Sequence, residues 1–513
     1  MLLSPLAQNA RRKANAKVKW ISAPANGWNA RDDLTEMDKH DAIVLDNVVV
    51  VETGVKLRDG YESHVTGLGS AVLSLMEYSA PDGTIEIFGA TATDIYDVTT
   101  AGSVGAAAVG SLTNGIWSHV MFATAGGNFL VCCNGNDAVQ NYDGASWTQP
   151  AITGATSSNF VQVTSHMSRL WFVDEGTMKV WYLGASAVAG AATSIDFGPL
   201  SRKGGELTAM ASWSRDGGSG IDDLAVFITS EGELHVYSGS DPSSANTWER
   251  VGTFQIAPPL GRRCFIKAGA DLGILTTQGL VPLSNVLSLA STEVERVAAT
   301  EKIGGAFKTA ATNAGTSRGW QVIEYPRQAL AIVNIPHTEG VTYYQYVLST
   351  AKKAWSRWTG LPAECWSLFG ERLMFGGTDG TVYEYTGETD NTAEINATIV
   401  QAFSDFGTVR NKVVKRMKPQ IVGPVGYRPV VGLRFDYDET DVVFSATPFT
   451  AIGPEWDVAE WDVEDWGPEL QPQAEWQAVR GRGFVLAIVV QISIDSSLTY
   501  NGSRLMYEEG GAV

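Results

Sequence analysis

One phrase keeps returning along this chain. An apolar, alternating run meets a turn of Gly, Asp, Asn, Thr or Ser, and a second run closes on Tyr or Trp. Residues 373–385 read LMFGGTDGTVYEY, 129–142 FLVCCNGNDAVQNY, 170–182 LWFVDEGTMKVWY and 225–237 AVFITSEGELHVY. Alternation at period two puts one face inward, and the turn residues accept the positive φ of a tight reversal, so each reads as a β-hairpin. Segments 85–96 (IEIFGATATDIY), 273–283 (GILTTQGLVPL) and 330–348 (LAIVNIPHTEGVTYYQYVL) fit more loosely. A lone hairpin cannot bury its apolar face. Seven in series over about 320 residues, roughly 45 per repeat, match the span of a four-stranded propeller blade. The expectation is an all-β chain with a β-propeller of six to eight blades.

At 513 residues the chain exceeds one ordinary core. Three segments are expected: 1–66, an N-terminal arm with strands; 67–390, the propeller; and 391–513, a C-terminal β domain. In the first, 47–51 and 55–57 read as strands around a Thr53-Gly54 turn. In the last, 393–406, 415–422, 432–438 and 484–494 alternate as strands. One stretch breaks the rhythm. Residues 292–312 (TEVERVAATEKIGGAFKTAAT) predict an inserted helix, with Thr292 and Glu295 in capping-box register and Gly304-Gly305 ending or kinking it.

Charge separates the two ends. The first twenty residues carry Arg11, Arg12, Lys13, Lys17 and Lys19 and no acid, and read as a solvated tail or an arm for an acidic partner or neighbouring subunit. Residues 455–466 (EWDVAEWDVEDW) hold Trp456, Trp461 and Trp466 at a five-residue step, with Asp457 and Asp462 among six acids and no base. A step of five suits neither a helix nor a strand face, so a loop is expected. Its rings supply contact area and its carboxylates select a basic partner, which favours an interface. The whole chain carries 37 Lys and Arg against 56 acids, net −19. Gripping nucleic acid needs basic surface, so DNA gripping is disfavoured, whereas an acidic wall lets a polyanion pass without sticking.

Motifs for chemistry are absent. There is no phosphate-binding Gly-rich loop, no H-E-x-x-H and no G-x-S-x-G. The six histidines are scattered, and the four cysteines form no C-x-x-C pair, so no zinc site is expected. Adjacent Cys132 and Cys133 sit mid-strand and read as small buried or half-buried thiols, as in a protein folding in a reducing cytoplasm. Ser214–Ser219 begins like a sialidase box but lacks its Trp and occurs once. The carboxylates Asp436, Asp438, Asp222 and Asp223 read as loop acids rather than a calcium or glycosidase set. No catalytic residue, cofactor or metal is expected, and no export signal or membrane anchor is recognised.

Three stretches resemble the tail nozzle proteins of short-tailed bacteriophages, also called tail tubular or packaged-DNA stabilisation proteins. They are Gly27-Trp28-Asn29-Ala30-Arg31-Asp32, Asp41-Ala42-Ile43-Val44-Leu45-Asp46-Asn47 and Gly54-Val55-Lys56-Leu57-Arg58-Asp59-Gly60-Tyr61. Gly483-Phe484 and Tyr507-Glu508-Glu509-Gly510-Gly511 at the C-terminus look similar too. The resemblance implies a non-enzymatic virion tail protein, assembled in the host cytoplasm as a ring of six. Its propeller lies outside, and a β-rich platform built from N- and C-terminal segments lies nearer the tube. It also implies docking on a head-to-tail adaptor ring, contact with tail fibres or spikes and the host envelope, and a lumen that retains and later conducts double-stranded DNA. Six copies would sum to about −114, in keeping with a non-adhesive lumen. A basic N-terminal arm and an acidic Trp loop could pair across subunits in a heterologous, closed contact. The rival reading is a β-propeller that binds or hydrolyses glycans, which should cluster acids and Arg on the propeller axis.

Overall fold

The computed structural model describes residues 16–216, 221–244, 247–287, 298–440, 442–444 and 470–510. The chain divides into two compact units: Arg58–Glu394, and Met1–Leu57 with Ile395–Val513.

The first unit is a seven-bladed propeller. Blade 1 holds Ser74–Ser79, Ile85–Ala90 and Ile95–Asp97; blade 2 holds Ser118–Thr124, Gly127–Cys133, Gln140–Tyr142 and Trp147–Thr148. Blade 3 is Phe160–His166, Arg169–Asp174, Lys179–Tyr182 and Thr193–Asp196, and blade 4 is Leu207–Asp216, Ile221–Thr229, Glu233–Gly239 and Trp248–Gln255. Blade 5 has three strands, Phe265–Ala268, Asp271–Thr276 and Gly279–Pro282; blade 6 has Gln321–Tyr325, Leu330–Thr338, Thr342–Ser349 and Ala354–Trp358. Blade 7 takes Ala363–Phe369, Arg372–Gly377 and Val382–Tyr385, and borrows Tyr61–Thr66 as its outer strand. All seven hairpins read from the sequence form, one per blade, as its second and third strands.

Alternation explains how the blades stack, because the middle strands of each blade are covered on both faces. In Gly127–Cys133, Leu130 and Cys132 join a cluster with Met76, Phe88 and Trp117 of the blade 1 side. Val131 and Cys133 join Phe160, Val163 and Phe172 of blade 3. Both thiols are therefore fully buried on opposite faces, and all four cysteines are free. The same interleaving joins blades 3 and 4 through Trp171 and Phe227, and blades 7 and 1 through Val382, Met374, Ile87 and Leu75.

The ring closes by joining chain segments more than 300 residues apart. Tyr61–Thr66 pairs antiparallel with Val382–Tyr385, so the strand grouped at first with the N-terminal segment belongs to the propeller. Arg58, whose side chain is fully buried, grips Asp390 through two nitrogens at 2.7 Å each and also donates to the carbonyls of Asp59 and Thr359. Gly60 must stay bare: a Cβ there would lie 1.9 Å from the Thr389 carbonyl oxygen.

The inserted helix is shorter and later than expected. It runs Gly304–Ala314 after a 3-10 turn at Glu301–Ile303, so Gly304-Gly305 start the helix instead of ending it. Glycine is tolerated in a first turn, where backbone amides lack intrahelical partners anyway. Phe307, Ala311 and Ala314 then form one buried stripe, with Phe307 against Trp320 and Tyr346. The proposed cap at Thr292 and Glu295 lies outside the described residues.

The terminal unit interleaves both ends of the chain. Thr499–Glu509 pairs with Lys412–Pro424 on one side, and with Lys17–Ser22 and Gly54–Leu57 on the other. Ala42–Asp46 pairs with Ile395–Gln401, which pairs with Leu486–Ile494, which pairs with Val430–Phe435. The expected strands form, and others join them, among them Ala42–Asp46, Leu470–Ala474 and Gln477–Gly483. Lys17–Ser22, read as part of a tail or arm, is a strand. Thr499–Glu509 is the long strand that receives it, although its polar middle (Asn501-Gly502-Ser503) reads as a turn.

Candidate functional site

Of the interface residues expected from the sequence, Arg11, Arg12, Lys13, Trp456, Asp457, Trp461, Asp462 and Trp466 lie outside the described residues. Lys17 and Lys19 lie on the strand Lys17–Ser22, which among the described residues has one partner strand, Thr499–Glu509, and leaves its other edge unpaired. Lys17 is 2.7 Å from Glu509 of its own chain, and that contact is the main cause of the lowered Glu509 carboxyl. Beside Lys19, the exposed Val18 and Trp20 continue the edge. A cavity of about 520 Å³ adjoins it, lined by Lys19, Trp20, Lys39, His40, Phe406 and Leu486.

Large apolar side chains surface mostly in this unit. Among the described residues, eight of the twelve exposed ones belong to it: Val18, Trp20, Val409, Val425, Tyr437, Phe444, Leu470 and Phe484. Val409 is 85% exposed. The resembling stretches have structural roles. Asn29 bonds Asp32 and buried Asp41 and accepts from the amides of Arg31 and Asp32. Gly54 leaves room for the Tyr500 carbonyl, which a Cβ would approach to 2.2 Å.

A second candidate is the propeller axis, where all seven innermost strands contribute to a cavity of about 360 Å³. Its lining includes Leu75, Ser118, His119, Gln162, Thr164, Ser212, Lys267, Gln321 and Trp366, with Arg262 and Arg263 just ahead of the blade 5 strand. Two glutamines tie neighbouring inner strands. Gln162 donates to the Met210 carbonyl at 2.8 Å and accepts from its amide at 3.0 Å. Gln321 does the same with Trp366, at 2.7 and 2.9 Å. Ser74 accepts the Trp117 amide at 2.8 Å, and Ser118 accepts that of Val163 at 3.1 Å.

Sequence reasoning did not single these residues out. The faint signal is an aromatic closely preceding Gln-Val at the start of a blade, Phe160-Val161-Gln162-Val163 and Trp320-Gln321-Val322.

No carboxylate lines this cavity. Burial, and then Arg263, hold the His119 imidazole down to about 4, so it is neutral at pH 7. Burial likewise pushes the Cys264 and Cys365 thiols up to about 12, which makes them poor nucleophiles. Among the described residues no cluster of His, Cys, Asp and Glu could hold a metal, and no helix is long and apolar enough to cross a membrane.

No family and no curated protein matches the sequence. Solved structures do share similarity. The BBS1N chain in complex with ARL6DN aligns at 10% identity and TM-score 0.41, over 65% of this chain and 99% of that one. A putative 6-phosphogluconolactonase from Bacteroides fragilis aligns at 14% and 0.35, over 64% and 90%. A glycoside hydrolase family 43 arabinoxylan arabinofuranohydrolase from Bacillus subtilis aligns at 11% and 0.24, over 94% and 98%. Similarities of this size carry no function across. The seven sheets themselves establish the chain as a mostly β protein with a β-propeller.

Proposed function

We propose that this chain is a virion structural protein: a tail nozzle whose copies, six in the expected ring, join through their terminal units around a passage for double-stranded DNA. The observation that carries this reading is the concentration, among the described residues, of exposed apolar side chains on the terminal unit, Val18 and Trp20 of the strand Lys17–Ser22 among them. A monomer gains nothing from such surface, whereas a subunit buries it against a neighbour. The composite of N- and C-terminal strands fits the platform expected of such proteins, and the resembling motifs at both ends support the same assignment. Net charge of −19 per copy suits a conduit that should not hold DNA. An adaptor ring, fibres or spikes and the host envelope are the partners this role requires, and the virion tail is its place. The role needs no catalysis and no cofactor.

The glycan-hydrolase alternative requires two carboxylates across a sugar-sized site. The axial cavity offers cations and hydroxyls instead. Light scattering on the purified full chain over a range of concentrations distinguishes the two. A nozzle assembles towards a ring of about 330 kDa, six times the 55.0 kDa subunit, with a central hole in electron micrographs. A 55.0 kDa monomer at every concentration overturns the proposal.

A further inference from the structure

The propeller axis holds cations without matching acids. Arg263 is half-buried, and its burial lowers its pKa from the ordinary arginine value, an effect that Cys365 and Glu364 partly offset. Its hydrogen bonds all run from Nη2 to neutral acceptors: Ser74 Oγ at 2.6 Å, and the Leu73 and Trp117 carbonyls at 3.2 Å each. Among the described residues no carboxylate forms an ion pair with Arg263 or with Lys267, which lines the same cavity. Glu175, beside Arg262, and Glu364, which acts electrostatically on Arg263, are engaged elsewhere. Glu175 is 3.2 Å from Arg262, and buried Glu364 is 3.6 Å from Arg318. A second cavity, of about 320 Å³, shares Trp117, Ser118, Arg262 and Arg263 with the first and adds Arg318. Arg263 thus lines two neighbouring cavities, and the Trp117 indole N–H, in a residue that lines both, has no acceptor.

A partly desolvated cation with no ion-pair partner loses hydration, and a counter-charge offsets that loss. A guanidinium presents a planar fork of donors that matches an oxyanion, and a nearby ammonium adds a point charge. The hydroxyls of Ser118, Thr164, Ser165 and Ser212 complete a donor-rich wall.

We propose that the axial cavity of the propeller is a binding site for a small oxyanion, phosphate or carboxylate in type, held by Arg263 and Lys267. The site is independent of ring assembly: it lies within one propeller and uses no residue of the terminal unit. The anion would offset the charges of Arg262, Arg263 and Lys267 around His119. Cys365 beside them stays a neutral thiol, and Glu364 remains with Arg318.

The test is calorimetric titration of the full chain with inorganic phosphate and, separately, with acetate, at low ionic strength. Saturable binding of either at one site per chain is expected, and the tighter of the two identifies the preferred geometry. Lys267→Gln should weaken it roughly tenfold, the worth of one charge-assisted hydrogen bond. Arg263→Gln should abolish it, and Lys179→Gln, on blade 3 away from the cavity, should leave it unchanged. Should Arg263→Gln fail to fold, the Lys267 variant and the His119 resonance decide. A bound anion favours the imidazolium, so the His119 titration should move up from about 4 in NMR spectra. No saturation with either anion, or equal affinity in wild type and Lys267→Gln, overturns the site.

Discussion

The two units handle their large apolar side chains in opposite ways. Among the described residues the propeller keeps large apolar side chains inside, with Ile116, Leu200, Val251 and Val341 as the exposed exceptions, and both units bury some ionisable groups, Arg58, His166 and His235 in the propeller and Asp41 and Lys412 in the terminal unit. The shorter terminal unit leaves twice as many large apolar side chains at the surface, and its ion pairs lie at the surface too. Examples are Lys17 with Glu509, Lys415 with Glu508 and Arg428 with Glu475. A propeller closed on its last blade leaves only short outer edges, so most of its stability is settled within the chain. A unit with an unpaired strand and uncovered apolar area is only partly satisfied alone. On the proposed function, that difference would leave internal order to one unit and assembly to the other.

The largest effect should come from breaking the closure. Arg58→Ala leaves Asp390 and two carbonyls without their buried donor, and removing one member of a buried pair costs about 3–5 kcal/mol. Urea unfolding should show that loss, and hydrogen exchange should locate the opening in blade 7. A loss confined to the terminal unit would break the comparison.

Next is acid. His64, His119, His166 and His235, all in the propeller, are held below the ordinary histidine value, chiefly by burial. The unfolded chain therefore binds more protons than the native one as pH falls below about 6.5, and stability drops. Their contribution is complete above the ordinary value and is lost as pH falls through the folded values, about 4 for His119. Between pH 7.5 and 5 the urea midpoint should fall, and His119→Asn should flatten the slope. A flat profile in the wild type would contradict these assignments.

Smaller again is the inner-ring lock. Gln162→Leu strips the Met210 amide and carbonyl of their partners. Leaving buried groups unpaired costs about 1–3 kcal/mol. Calorimetry should register a lower Tm with the seven sheets intact.

Much of the propeller was legible because a blade's central hairpin is local and doubly buried. Period-two alternation and a Gly-containing turn, as in 373–385, suffice to locate it. Inner strands such as Phe160–His166 carry Gln and Ser facing a polar axis, which blurs the alternation. The closure was hidden because Arg58 and Asp390 are 332 residues apart. Thr499–Glu509 escaped notice because glycine in mid-strand reads as a turn. Here Gly502 is needed, since a Cβ would lie 2.4 Å from the Ile21 carbonyl and 2.8 Å from the Trp20 ring. The helix boundary failed for a related reason: a Gly pair marks a helix start as readily as an end, and only the Phe307 stripe decides between them.

The remaining predictions concern the terminal unit, where assembly should respond and stability should not. Trp20→Ala removes an exposed ring on the strand Lys17–Ser22. An interface ring of this kind is worth roughly 2 kcal/mol to association, so ring formation should require about thirtyfold more protein while Tm holds. Lys17→Ala should change least. Its contact with Glu509 is short, but the ammonium side chain is 55% exposed, so water and salt screen the pair and little stability rests on it. Because that bond lies within one chain, its loss should weaken the hold of Lys17–Ser22 on Thr499–Glu509 only at the frayed start of the strand. Sedimentation of Lys17→Ala should match wild type in 0.3 M salt. A large assembly defect that persists in salt would mean that Lys17 contacts a neighbouring subunit instead, moving the basic arm from internal strand pairing to the ring contact itself.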